Sequence, residues 1–213
     1  LSSAFGTAVK EWGWLEENPM RRISKLKEPR GRVRYLLDEE RKQLLDACKK
    51  SKNKDLYKVV VLALSTGARQ MEIWGLKWSE VDLDRGWITL RNTKNQEIRT
   101  IPLEGEALNL LKEHAKIPRL NTDLVFPSRK NPSFPHDFRD PWDKALKEAG
   151  IAYFRWHDLR HSAASYLAMN GVPIRTIAEI LGHKSLQMVQ RYTHLSPDHL
   201  KEAVASMNKQ IFD

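Results

Sequence analysis

Residues 86–102 restrict the fold of this chain more than any other stretch. Trp87-Ile88-Thr89-Leu90 and Ile98-Arg99-Thr100-Ile101 are β-type runs on either side of the polar turn Asn92 to Gln96, which predicts an antiparallel hairpin. Everything around that hairpin reads as helix. Asp38 reads as an N-cap, Glu39 and Glu40 suit the first turn of a helix, and Leu44, Leu45 and Cys48 give it an apolar face. A second helix is expected from about 55 to 64, and a short third one contains Met71, Ile73 and Leu76. Helical spacing resumes at about 104–116, 139–149, 158–170, 174–181, 185–191 and 197–208, with Asn170-Gly171 as a helix stop. The expected class is α+β: a mainly α-helical domain with one small antiparallel sheet.

With 213 residues and 41% hydrophobic composition, the chain can bury a core and is not a disordered polymer. Its longest apolar run, Val59 to Leu64, is far short of a bilayer span, so no membrane partner is expected. No secretory leader pattern opens the sequence, and the single cysteine, Cys48, excludes a disulfide framework and suits a reducing cytoplasm. The first residue is Leu1, which reads as a fragment of a longer protein.

Three segments are expected. Residues 1–20 carry a helix with Phe5, Val9, Trp12 and Trp14, and Asn18-Pro19 ends it. Residues 21–34 read as a basic linker, and 35–213 as the main domain with a tail helix from 197. The net charge is +9, and the window 21–54 holds thirteen basic residues against five acidic ones. Such a window can neutralise phosphates without sequence preference, although a charge run is equally a solvated linker.

Four clusters could carry chemistry. Arg69 and Glu72 are three apart and share a helical face, so the carboxylate could hold the guanidinium; alone, this also describes a surface ion pair. His157, Arg160 and His161 stand at a helix start over the small side chains Ala164 and Ala168, with Leu159, Ala163, Tyr166 and Leu167 expected on the core side. An imidazole, a guanidinium and free N–H groups suit a phosphate, or simply cap a helix. Leu181-Gly182-His183 is followed by Tyr192 at the end of a short helix, where the side chain can project instead of packing. Lys94 occupies the hairpin turn. The close pairs His157/His161 and His194/His199 lack the companions of a known zinc site. A P-loop and a serine nucleophile elbow are both absent.

In order, TGARQMEIWGLKW (66–78), TK (93–94), HDLRH (157–161), LGHKS (181–185) and RYTHL (191–195) resemble the catalytic domain of the tyrosine recombinase, or phage integrase, family. The resemblance covers about residue 35 to the end, and residues 1–34 are similar to the end of the family's core-binding domain and its linker. It implies a site-specific DNA recombinase acting through a 3′-phosphotyrosyl intermediate, with no metal and no organic cofactor. Arg69 and Arg160 would bind the scissile phosphate, Lys94 would be the general acid, and His157 would take a proton. His183 would fill the His/Trp position, Tyr192 would be the nucleophile, and Glu72 and His161 would support them. Implied partners are double-stranded DNA, three further copies in a tetramer on paired sites (a monomer without DNA), and accessory DNA-bending proteins. The implied location is the cytoplasm, at the nucleoid. Two other readings stay open: a type IB topoisomerase, and a regulator using residues 174–193 as a helix-turn-helix without catalysis.

Overall fold

The computed structural model describes residues 1–24, 34–91, 98–117, 121–183, 185–195 and 199–212. It divides into two compact units, Leu1–Arg32 and Val33–Asp213. In the first, helix α1 (Ser2–Lys10) is followed by a 3-10 turn, Pro19–Arg22. Asn18 stitches them together, accepting from the Met20 N–H (3.0 Å) and donating to the Ser2 carbonyl (2.9 Å). Trp12 and Trp14 are exposed and lie with ring centroids 4.6 Å apart.

The second unit is built from α2 (Asp38–Lys50), α3 (Leu56–Thr66), α4 (Gln70–Trp74), β1 (Val81–Asp82), β2 (Trp87–Leu90), β3 (Arg99–Pro102), α5 (Gly105–Ala115), α6 (Arg139–Glu148), α7 (Trp156–Met169), α8 (Ile174–Leu181) and α9 (His199–Phe212). The class is the expected one, mainly helical with a small sheet. The strands run antiparallel in the order β1-β2-β3, so the predicted hairpin gains a third, two-residue strand. Ile88 pairs with Ile101 and Leu90 with Arg99, which puts Ile88, Leu90 and Ile101 into the core.

Two expectations are corrected. The N-cap of α2 is Leu37, not Asp38: the Glu40 carboxylate reaches back to the Leu37 N–H at 2.9 Å, leaving Asp38 to accept from the Tyr166 hydroxyl at 3.1 Å. The helix expected at 185–191 is two 3-10 segments, Leu186–Met188 and Gln190–Leu195.

The main core is helical at its centre, with α3 packed against α2, α5 and α7. A set of aromatic rings joins α4, α6 and α7. Trp74 meets Trp156 at 5.2 Å and Phe138 at 5.6 Å, and Trp156 meets Trp142 at 5.0 Å, in edge-on or steeply tilted geometries that aromatic quadrupoles favour. These rings hold the end of α4 against the first residue of α7. A second, smaller core contains Ala164, Ala168, Ile177, Leu181, Val189 and Tyr192. Helix α7 therefore serves both cores. The face bearing Ala164 and Ala168, which lies beside the side chains of His157, Arg160 and His161, is covered, because small side chains there let the C-terminal segment approach closely.

Gly67 ends α3 at φ +60°, and a Cβ on it would lie 2.5 Å from Leu181 Cδ2. Gly67→Ala is therefore expected to lose at least about 1–2 kcal/mol of stability from the backbone alone, read as a lower denaturant midpoint.

Candidate active site

The loop after α3 is fixed before any ligand arrives. Thr66 Oγ1 donates to the Leu62 carbonyl (2.6 Å) and accepts from the Ala68 N–H (3.2 Å), while the Gly67 N–H closes on the Ala63 carbonyl (3.0 Å). Arg69 then caps α4. Its N–H donates to Glu72 Oε2 at 2.7 Å and its Nη1 to Glu72 Oε1 at 2.9 Å. The carboxylate that satisfies the helix end thus also aims the guanidinium.

Arg160 approaches the same loop from α7. It is 3% exposed, and its Nη1 donates to the Gly67 carbonyl (2.8 Å) and its Nη2 to the Leu181 carbonyl (2.5 Å). Arg69 Nη2 donates to the next carbonyl, that of Gly182, at 3.3 Å. Two guanidinium groups 91 positions apart in sequence therefore sit on consecutive carbonyls at the end of α8. Burial, and then the charges of Arg69 and Arg99, push Arg160 down to about 9, so it stays cationic at neutral pH. Repulsion of this kind is relieved by an anion, and a guanidinium has donors to spare after two carbonyl contacts.

Tyr192 comes from the last 3-10 segment and is 2% exposed. Its hydroxyl hydrogen-bonds to His161 Nδ1, on the residue after Arg160. His161 is pushed down to about 4, by burial first and then by His157, so at pH 7 it is neutral, and its tautomer with the proton on Nε2 leaves Nδ1 free to accept from the phenol hydroxyl.

The phage integrase family model matches residues 34–199. The chain belongs to that family. It is 36% identical over 221 residues to the integrase of Salmonella phage P22, a match covering 95% of this chain and 54% of that protein; this chain spans about half the length of the curated relatives it matches. Among solved structures, the catalytic domain of bacteriophage HP1 integrase shares 32% identity at a TM-score of 0.66, covering 82% of this chain and 95% of that one. XerH site-specific recombinase, in a pre-cleavage complex with its difH substrate, shares 26% at a TM-score of 0.66, covering 86% and 56%.

Within this integrase-family site, several sequence expectations change. Tyr192 packs into the smaller core instead of projecting, because Ala164 and Ala168 leave room for its ring. Burial raises its pKa, outweighing the opposite pull of Arg191 and Arg160, so the hydroxyl keeps its proton in this state. The hydroxyl meets His161, while His157 lies edge-on to the His161 ring at 5.0 Å. His157 is held below its ordinary value by burial and by Arg160. His183 is pushed down to about 4 by burial, Arg160 and Arg69, and its Nδ1 is buried without a hydrogen-bond partner among the described residues. Lys94 lies outside the described residues. Among those described, no group of three His, Cys, Asp or Glu side chains could hold a metal ion.

Sequence reasoning missed Arg99. Its fork closes on Glu72, Nη2 to Oε2 at 2.6 Å and Nη1 to Oε1 at 3.2 Å. The signal was present: Arg99 pairs across the sheet with buried Leu90 and shares the inward face with Ile101, and a charge on that face needs a partner.

The two most depressed histidines, His161 and His183, set an acid sensitivity. Between pH 6.5 and 4 the unfolded chain takes up protons that the native one refuses, so stability rises with pH through this window and is lost as pH falls. The urea midpoint is expected to drop steadily from pH 7 to 4.5, with a shallower slope in His183→Asn.

Proposed function

We propose that this chain is the catalytic part of a site-specific DNA recombinase, in which Tyr192 attacks a backbone phosphodiester and becomes linked to the 3′ phosphate. The observation that carries this reading is the convergence of Arg69 and Arg160 on the end of α8, beside a tyrosine held by a neutral imidazole. Its relatives, an integrase and a recombinase caught with its substrate before cleavage, support the same chemistry.

A phosphodiester anion repels nucleophiles, and extra charge accumulates on its non-bridging oxygens as the phenol attacks. Two forked guanidinium groups, already positioned, neutralise that charge without reorganising. As the Tyr192 oxygen bonds to phosphorus, its proton passes to His161 Nδ1; His161 thus takes the base role that the family pattern gives to His157. The P–O5′ bond breaks, and the departing 5′ oxygen receives a proton from Lys94. One phosphoester replaces another, so a 5′-hydroxyl from a second strand reverses the step and joins a new partner. His183, with a buried nitrogen unfilled, donates to the bound phosphate once protonated beside it.

In this reading residues 1–20 are the end of a DNA-clasping domain, 21–34 the basic connection, and 35–213 the catalytic domain, working as a tetramer on paired sites. Val204, Met207 and Ile211 on α9 follow helical spacing and are at least half exposed, a stripe suited to a neighbouring protomer. Removing residues 197–213 is expected to lower tetramer formation on DNA by sedimentation while leaving the melting curve of the main domain intact. The regulator reading lacks support for its recognition element, since α8 is followed by two short 3-10 segments of three and six residues instead of a helix long enough to fill a major groove.

The deciding test uses a pool of nicked duplexes with randomised arms and a 5′-bridging phosphorothiolate, whose weakly rejoining leaving group traps the adduct. Wild type is expected to form a covalent protein–DNA band on a denaturing gel, and Tyr192→Phe none. Arg160→Lys keeps the charge but not the fork, so adduct formation is expected to slow by about 10²-fold or more. A wild type that binds the pool without any adduct would refute the enzyme.

A further inference from the structure

Glu72 answers more than one arginine. It is buried, its two oxygens take the N–H and Nη1 of Arg69, and the same two oxygens take the fork of Arg99 from β3. The Arg99 side chain is 10% exposed, and its Nε is buried with no hydrogen-bond partner among the described residues. It also packs close against the turn that ends α8. A Cβ placed on Gly182 would stand 2.7 Å from Arg99 Nη1 and 2.9 Å from its Cδ, and Gly182 itself is at φ +64°. That glycine supplies the carbonyl that receives Arg69 Nη2.

Both anchors of the Arg69 guanidinium, the Glu72 carboxylate and the Gly182 carbonyl, are therefore held from behind by one side chain. We propose that Arg99 is a positioning residue that sets the aim of Arg69 through Glu72 and Gly182, without itself meeting the phosphate. The inference rests on the reading of Arg69 as a phosphate-binding group. Its fork makes the arrangement specific. A guanidinium spans both carboxylate oxygens and packs close against a glycine, whereas an ammonium makes a single point contact. The pKa of Glu72 agrees: burial alone would raise it, yet it is held below the ordinary carboxylate value, with Arg99 the foremost opposing contact. Arg99 also opens the strand that follows the Lys94 segment, so one contact ties the root of that segment to the arginine loop.

The experiment has two arms on Arg99→Met and Arg99→Lys. Without DNA, the guanidinium Nε–H signal of Arg69, identified by its disappearance in Arg69→Ala, is followed in ¹H–¹⁵N spectra. It is expected to move toward the position of solvent-exposed arginines in Arg99→Met, while the backbone amides beyond β3 and α8 stay in place. An Arg69 signal unchanged in Arg99→Met overturns the proposal. If Arg99→Met fails to fold, Arg99→Lys carries the same comparison, with a smaller displacement. With the phosphorothiolate duplex pool, adduct formation is expected to slow by about 10²-fold in Arg99→Met, the scale that a misplacement of about 1 Å can cost, with part of the rate restored in Arg99→Lys. Wild-type adduct formation with an equal rate in Arg99→Met removes Arg99 from positioning and leaves the enzyme reading standing. No adduct even in wild type refutes the enzyme reading, and the Arg69 signal then decides the placement alone.

Discussion

The structure depends on a cation held inside the protein by main-chain oxygens. Arg160 is almost wholly removed from water, and it replaces lost hydration with the carbonyls of Gly67 and Leu181, two chain ends that belong to different cores. A charge buried this way is costly unless its hydrogen bonds are made, so the two helix ends are constrained to stay where the guanidinium needs them. Gly67 and Gly182 are both left-handed, which turns those carbonyls toward the interior instead of along the helix axes. The backbone of α3 and α8 is in this sense part of the site.

From that anchor the other functional groups follow by short steps. Arg69 is two residues beyond Gly67, and His161 is one beyond Arg160. His183 follows Gly182, and Tyr192 reaches His161 from the segment packed on Ala164 and Ala168. None of these side chains sits on a long loop. Arg69 stands at the N-cap of α4, His183 just past the C-cap of α8 and His161 in the second turn of α7, a helix whose first residue is fixed by the rings of Trp74 and Trp142. Placing reacting groups on rigid ends suits chemistry that relies on electrostatic pre-alignment.

Much of this was legible in the sequence. The hairpin, the helix pattern and the Arg69–Glu72 pair were readable because each rests on local spacing. Local spacing could not show which surface of α7 would be covered. Ala164 and Ala168 read only as small side chains beneath the polar cluster at the start of α7, and the structure packs Tyr192 against them. Burial of the tyrosine depends on Ile177, Leu181 and Val189, which lie further along the chain. Arg99 was missed for the same reason: its alternation within β3 marks it as inward, but its partner Glu72 is 27 residues away. The N-cap at Leu37 in place of Asp38 is a smaller instance, in which Glu40 serves the helix end and Asp38 accepts from the distant Tyr166.

The niche occupied by the Tyr192 ring has an energetic implication. Lifting an aromatic ring from a dry, fitted cavity into water forfeits about 1.5–3 kcal/mol, which leaves roughly one molecule in ten to one in a hundred with a loose phenol at any instant. Whatever draws the ring out must repay that cost from its own binding free energy, and so governs how often the Tyr192 hydroxyl is at liberty.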